Sequence, residues 1–326
     1  MPVRNASAYL DECLKSIINQ TEKHWELLVV DDHSTDNSFE ILQNHASKDE
    51  RISVFKINGR GIIPALNLAF ENSTGELITR MDADDIMRPK KIELLKSRLI
   101  GKGKGHVCTA FVEYFSETPL GDGYKKYQNW LNELTSKNEN FNDIYKECVI
   151  ASPCWMIFRE DLLKCEAFDP NIYPEDYDLV FRFYKNGLKV TSVKEPLHQW
   201  RDYAERSSRT DPNYADHSFL DLKIKYFLEL DHDKKQELFL WGAGKKGKYL
   251  AKQFQIKDIS FRWISNNERK TGLSISGTIL EDFEILKSIS NPQIIIAIAA
   301  PDDQVEIDKF LKKTHLKKGK HYYFFC

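Results

Sequence analysis

The sequence predicts an α/β chain: a doubly wound, mostly parallel sheet over residues 1–205, a helical linker over 206–236 and a smaller α/β domain over 237–326. Three observations predict it. Short apolar runs alternate with helical patterns through roughly the first 200 residues, and strand–helix–strand order requires a parallel sheet with helices on its faces. Those runs end in acids, at the carboxyl edge where such sheets bind ligands. Beyond Gln236 the pattern restarts on a new composition: 237–326 carries 15 Lys/Arg against 10 Asp/Glu, net +5, whereas 1–236 nets −7.

Taken in order, Ala8–Gln20 sets Leu10, Leu14, Ile17 and Ile18 at helical spacing. WELLVVDD (Trp25–Asp32) reads as a buried strand, and Ser34 as the N-cap of a helix carrying Phe39, Ile41 and Leu42. ISVFKI (Ile52–Ile57) is the next strand, Pro64–Glu71 a helix, and GELITRMDADD (Gly75–Asp85) a strand. The linker turns polar around Arg206, Arg209, Asp211 and Pro212 and holds the helix-like FLDLKIKYFLEL. ELFLWGAGKKGKYLAKQF (Glu237–Phe254) is strand, glycine turn and helix; FRWIS and QIIIAIAA are strands, and Asp302–Lys313 closes as a helix.

Composition excludes several classes. Hydrophobic residues at 41% and charged residues at 29% fit a globular chain, neither disordered nor collagen-like. The longest apolar runs fall far short of the roughly 20 residues of a membrane span. No charged-then-apolar leader opens the sequence, so no secretory signal is expected. A net charge of −2 makes no case for nucleic acid. The six cysteines form no CxxC pair and read as reduced cytoplasmic thiols.

The chemistry concentrates in acids. Asp82, Asp84 and Asp85 in RMDADDIMRP repel one another, so the run calls for a cation; hard oxygen ligands favour Mg²⁺ or Mn²⁺, completed by substrate phosphates. An acidic helix-capping turn is the plain alternative. Asp31 and Asp32 end an earlier strand at the same edge, where one carboxylate can take a ribose hydroxyl or a base edge, Asp32 before Asp31. In YPEDYDLVFRF, capping accounts for one of Glu175, Asp176 and Asp178 but not three. One of them can serve as general base toward an acceptor hydroxyl. His198 lies near enough to be a metal-ligand option, and Trp155 and Trp200 are candidates for stacking on a sugar or for the core.

MPVRN, VVDDHSTDNS, GRGIIPALNLAF, GELITRMDADDIMRP and PEDYDLVFRF, in that order and spacing, resemble the family 2 glycosyltransferases across residues 1–208. The resemblance implies a GT-A fold and an inverting, hexosyltransferase-type enzyme using Mn²⁺ or Mg²⁺. Its donor would be a nucleoside-diphosphate sugar and its acceptor a saccharide or lipid-linked saccharide, in cell-surface polysaccharide or glycoconjugate synthesis. Pro2 and Asn5 would flank the nucleotide, Asp32 would meet the base, and Asp82 would lie by the ribose and phosphates. Asp84 would hold the metal together with Asp82, Asp176 would be the base, and Glu175 would orient. Arg60 and Arg80 would neighbour the donor, and Arg201, in the WRDYAERSS stretch, would reach the diphosphate. The implied location is cytoplasmic, with peripheral contact at the inner membrane face as an option. In the family a first, central strand precedes the MPVRN equivalent, and most of it is missing here; a start set too late is the expected reason.

In the second domain Gly242, Gly244 and Gly247 fit G-x-G-x-x-G between a strand and a helix, a Rossmann-like phosphate loop. The ribose acid is absent: Ser265, Asn266 and Asn267 follow the second strand. Two other readings stand beside the transferase. A nucleotidyltransferase forming nucleotide sugars needs a Gly-rich loop after its first strand, and NASAYLDE has no glycine. An NAD-binding oxidoreductase built on 242–247 leaves residues 1–200 without a role.

Overall fold

The computed structural model describes residues 1–204, 206, 209, 211–214 and 216–326. It divides into two compact units, Met1–Phe141 with Val149–Tyr214, and Asn142–Cys148 with Ala215–Cys326.

In the first unit, β1 (Pro2–Val3), β2 (Leu27–Asp31) and β3 (Ile52–Lys56) form a parallel three-stranded sheet with β2 central. Its connections are α1 (Ser7–Ile18), which buries Leu10, Cys13, Leu14 and Ile17, and α2 (Ser38–Ala46). The α2 helix starts at Ser38 rather than after Ser34, whose hydroxyl instead accepts from Asn5 N–H at 3.0 Å. Then come α3 (Ile62–Glu71), β4 (Leu77–Thr79), β5 (Ile86–Met87), α4 (Lys91–Lys102), β6 (His106–Phe115), α5 (Asp122–Lys137), β7 (Trp155–Phe158), α6 (Arg159–Lys164), α7 (Glu175–Lys185) and β8 (Lys189–Arg201). A second, five-stranded sheet runs β4-β7-β6-β8-β5; its β6–β8 pair is parallel and its other pairs are antiparallel. The expected strand Gly75–Asp85 is therefore β4 alone, and the acids 82–85 form a loop leading into β5. Beside the two-residue β1, an apolar cavity of about 540 Å³ separates Leu27 and Leu28 from Leu77 and Thr79.

β8 carries an irregularity that matters for the site. Pro196 has no N–H to give a ladder, and the β6–β8 register shifts on both sides of it, bringing His198 opposite Val112. Beyond the shift β8 also pairs with β5, Met87 against His198 and Ile86 against Gln199.

The second unit contains α8 (Asp216–Tyr226), which continues as a π-helical turn over Phe227–Asp231, and a six-stranded sheet. That sheet comprises β9 (Glu237–Trp241), β10 (Arg262–Ser265), β11 (Ser274–Ile275), β12 (Thr278–Asp282), β13 (Pro292–Ile296) and β14 (Tyr322–Phe324) in the order β11-β12-β10-β9-β13-β14. All its pairs are parallel except the β11–β12 hairpin. Helices α9 (Lys245–Ile256) and α10 (Pro301–Lys313) complete it around Phe239, Trp241, Ile264, Ile294 and Ile296. The helix expected as a linker belongs to this unit, and so does the short stretch 142–148. Lys223 Nζ donates to Lys146 O at 2.8 Å, Tyr145 OH donates to Asp231 at 2.5 Å, and the Tyr145 ring stacks on Phe325 at 5.3 Å.

Two of the three expected loop glycines answer to packing. Gly242 sits at φ 115°, and a Cβ there would meet Ile298 Cγ1 at 2.8 Å. A Cβ on Gly247 would lie 2.0 Å from Gly242 O, so helix and strand approach this closely only without a side chain. Gly244 has open space around its Cβ position. Gly247→Ala should cost about 3 kcal/mol through this overlap. Calorimetry should show the melting transition of the second unit falling by roughly 10 °C; an unchanged transition contradicts the packing account.

Candidate active site

The carboxyl end of β2 delivers Asp31 and Asp32, both buried. Asp32 Oδ2 accepts from Gly61 N–H at 3.0 Å, while its Oδ1 is buried with no protein partner among the described residues. That oxygen is a buried acceptor with capacity for an N–H or O–H donor. Gly61, at φ 107°, is the residue that makes this bond possible, and the glycine opening α3 was its only signal. Asn5 supports the same corner: in the left-handed region at φ 50°, it accepts from Thr35 N–H at 2.8 Å through its side chain. Asp36 accepts from Ser7 N–H and Ser38 N–H, both at 3.0 Å, so much of the DDHSTDNS run ties the starts of α1 and α2 together. Pro2 lies in β1, and Arg60 is exposed in the loop before α3.

The 80–85 loop brings the acids together. Asp84 Oδ2 accepts from Tyr203 OH at 2.8 Å. Burial, and then the charges of Asp85 and Asp82, push its carboxyl up to about 6. Burial and Asp82 likewise raise Asp85. This fits a cation site whose charge is still to be supplied. Among the described residues no three His, Cys, Asp or Glu side chains form a ready metal cage.

Arg80 is the hub. Its buried guanidinium reaches Asp82 Oδ1 at 3.3 Å and Glu175 Oε1 at 3.1 Å, and its Nε has no protein partner among the described residues. Burial works against its charge, but Asp82, Glu175 and Asp176 together hold its pKa above the usual range. Glu175 Oε2 accepts from Tyr214 OH at 2.6 Å, so both its oxygens are engaged. Asp176, next on α7, is pushed up to about 7 by burial and then by Glu175, with Arg80 pulling the other way. Asp178 is structural: it takes Arg182 Nε at 2.8 Å, and Arg182 in turn donates to the carbonyls of Cys165 and Ala167.

Two expectations change here. Arg201 does not extend into open space toward a diphosphate. Its Nε donates to Asp84 O at 2.8 Å, its Nη2 pairs with Glu12, and its guanidinium lies over Tyr9 and Phe115. His198 is 0% exposed with both ring nitrogens engaged, Nε2 with Asp85 at 2.9 Å and Nδ1 with Lys91 at 3.0 Å, so it is no metal ligand. Trp155 packs edge-on against Phe183 in the core, and Trp200 stacks on Tyr114 at 5.0 Å. Ser207 and Ser208 of the WRDYAERSS stretch lie outside the described residues.

The family model of glycosyl transferase family 2 matches residues 1–165. The chain belongs to this family. It is 28% identical over 217 residues to the glycosyltransferase GlyG of Streptococcus pneumoniae, covering 65% of this chain and 72% of that protein. It is 28% identical over 202 residues to the putative teichuronic acid biosynthesis glycosyltransferase TuaG of Bacillus subtilis, covering 61% and 76%. Among solved structures, S. aureus TarS 1-349 in complex with UDP-GlcNAc superposes with a TM-score of 0.57 at 16% identity, covering 72% of this chain and 67% of that one. The likeness shows a shared GT-A fold. The protein is a glycosyltransferase, and none of its described helices is long and apolar enough to cross a membrane.

The raised carboxyl of Asp84 has a consequence for stability. A carboxyl pushed from about 4 to about 6 by folding costs the folded state almost nothing below pH 4, progressively more between pH 4 and 6, and a constant amount above that. Asp84→Asn removes that cost. In divalent-free buffer its melting temperature should exceed the parent's by a few degrees at pH 8 and converge with it toward pH 4. A gap that narrows as pH rises contradicts the assignment.

Proposed function

We propose that the chain is a metal-dependent, inverting hexosyltransferase. It would move a sugar from a nucleoside-diphosphate sugar to a hydroxyl of a saccharide or lipid-linked saccharide, in the synthesis of cell-surface polysaccharide. One observation carries the reading: Arg80 links Asp82, on the donor-side loop, to Glu175, the neighbour of Asp176 on α7. Leaving-group chemistry and proton removal thereby share one charged bridge. TuaG and TarS, named for a teichuronic acid role and for a UDP-GlcNAc complex, support the polysaccharide and nucleotide-sugar parts.

Asp32 offers its open oxygen to the base, with Pro2 and Asn5 flanking the nucleotide and Arg60 within the same loop region. Asp82 and Asp84 are the residues to hold Mn²⁺ or Mg²⁺, which when bound neutralises the diphosphate as it leaves. Asp176 takes the proton of the acceptor hydroxyl as its oxygen bonds the anomeric carbon and the bond to the diphosphate breaks on the opposite face. Glu175, clamped by Arg80 and Tyr214, orients that helix start. Residues 1–205 would form the transferase domain; the 242–247 loop in 237–326 would be a phosphate site only if Gly244 admits a ligand. The cytoplasmic side of the membrane is where such donors are available to it.

Asp176→Asn should leave donor affinity nearly unchanged, measured by titration calorimetry with Mn²⁺, and cut transfer by at least about a hundredfold. Near-parental transfer, or a product of retained anomeric configuration, overturns the mechanism. With the parent enzyme, turnover should rise with pH through about 7 as Asp176 loses its proton, then level off; a rate that falls across that range contradicts its role as base. Asp84→Ala should abolish divalent-dependent donor binding, and normal donor affinity in Mn²⁺ would overturn the metal assignment.

A further inference from the structure

Behind the acidic loop lies a buried polar chain that the transfer mechanism does not use. His198 and Lys91 are both 0% exposed. Lys91 Nζ donates to Pro153 O at 2.5 Å and faces His198 Nδ1 at 3.0 Å; His198 Nε2 faces Asp85 Oδ2 at 2.9 Å; and Asp85 Oδ1 accepts from Arg201 N–H at 2.8 Å. The partners decide the tautomer. With Asp85 ionised and Lys91 charged, the carboxylate oxygen accepts and the ammonium donates, which puts the His198 proton on Nε2 toward Asp85 and leaves Nδ1 to receive from Lys91. Asp85 thus has both oxygens fixed from β8, one by the strand's main chain and one by its histidine. Asp84, the adjoining residue, is gripped from the same strand through Arg201 Nε on its carbonyl.

Such a chain is costly to bury and is stable only when every member is satisfied. Its members come from three separate elements, and it ends on the residue next to the proposed metal carboxylate. We infer that His198 is a positioning residue: by holding Asp85 it fixes the 82–85 loop so that Asp82 and Asp84 present their carboxylates in metal-binding geometry. The inference rests on reading that loop as the metal site. It makes β8 the template for the site, and it explains why a strand interrupted by Pro196 recovers its register at His198.

The test compares two polar replacements of different reach. The amide nitrogen of glutamine can stand where Nε2 stands, whereas that of asparagine is too short to reach Asp85. Mn²⁺ affinity of the full chain, followed by electron paramagnetic resonance without donor, and kcat/KM for transfer are measured for each, with far-UV circular dichroism checking the fold. His198→Gln should stay within about threefold of the parent in both. His198→Asn should weaken Mn²⁺ binding by roughly 10- to 100-fold, as loss of outer-shell support does, and kcat/KM should fall with it. Equal impairment of the two variants, or impairment of neither, overturns the inference. Where His198→Asn does not fold, Asp85→Asn carries the test: it should show the same loss of Mn²⁺ affinity, and parental affinity overturns the inference. Asp84→Ala separates the two readings. If it keeps Mn²⁺ affinity, the metal reading falls and the inference with it; if it loses Mn²⁺ affinity while His198→Asn does not, the inference alone falls.

Discussion

Five carboxylates, those of Asp82, Asp84, Asp85, Glu175 and Asp176, are drawn toward one buried guanidinium and its surroundings, and their mutual repulsion is the constraint that the rest of the site answers. Left to itself such a group would spread into solvent. It is held by positive charge and by donors: Arg80 between Asp82 and Glu175, tyrosine hydroxyls on Asp84 and Glu175, and the main chain and histidine of β8 on Asp85. Burial first, and then the charges of their neighbours, hold the carboxyl groups of Asp84, Asp85 and Asp176 above their ordinary range.

The corner proposed to take the nucleotide follows the opposite logic. Asp32 is fixed by a single backbone N–H and keeps one oxygen unspent, while the loop around it is over-determined by Asn5, Ser34, Asp36 and Ser38. A rigid frame around buried acceptors without protein partners, Oδ1 of Asp32 and of Asp31, would give selectivity, because a ligand lacking the matching donor leaves such an oxygen buried and unpaired.

The sequence was most legible where a strand ends in acid. Apolar periodicity placed β2, β3, β9 and β13; Asp31 and Asp32 stand at the end of β2 as the edge argument expected, and the acids of PEDYD open a helix as their spacing indicated. Charge spacing could not reveal partners distant in the chain. Lys91 reads as one more surface lysine at the start of α4, yet it is fully buried beneath residue 198. Asp178 reads as one of three alike acids, and only the fold shows Arg182 one helical turn away absorbing it. Tyr203 and Tyr214 lack any motif, and Arg201 looked free because its two acceptors, Glu12 and the Asp84 carbonyl, lie nearly two hundred and more than a hundred residues away. The short strands β11 and β14 escaped notice because two or three residues are too few to establish alternation.

The second unit draws on residues 142–148 as well as on everything after 214. Tyr145 packs against Phe227, Tyr323 and Phe325, so two of its three aromatic partners lie nearly 180 residues further along the chain. During synthesis that tyrosine must wait for these two partners while about 180 further residues emerge at roughly 5–20 per second. The interval, on the order of ten seconds or more, is one in which the nascent chain presents a sticky segment without its cover. Chaperone demand in the cell, rather than the stability of the finished protein, is where this discontinuous arrangement would be felt.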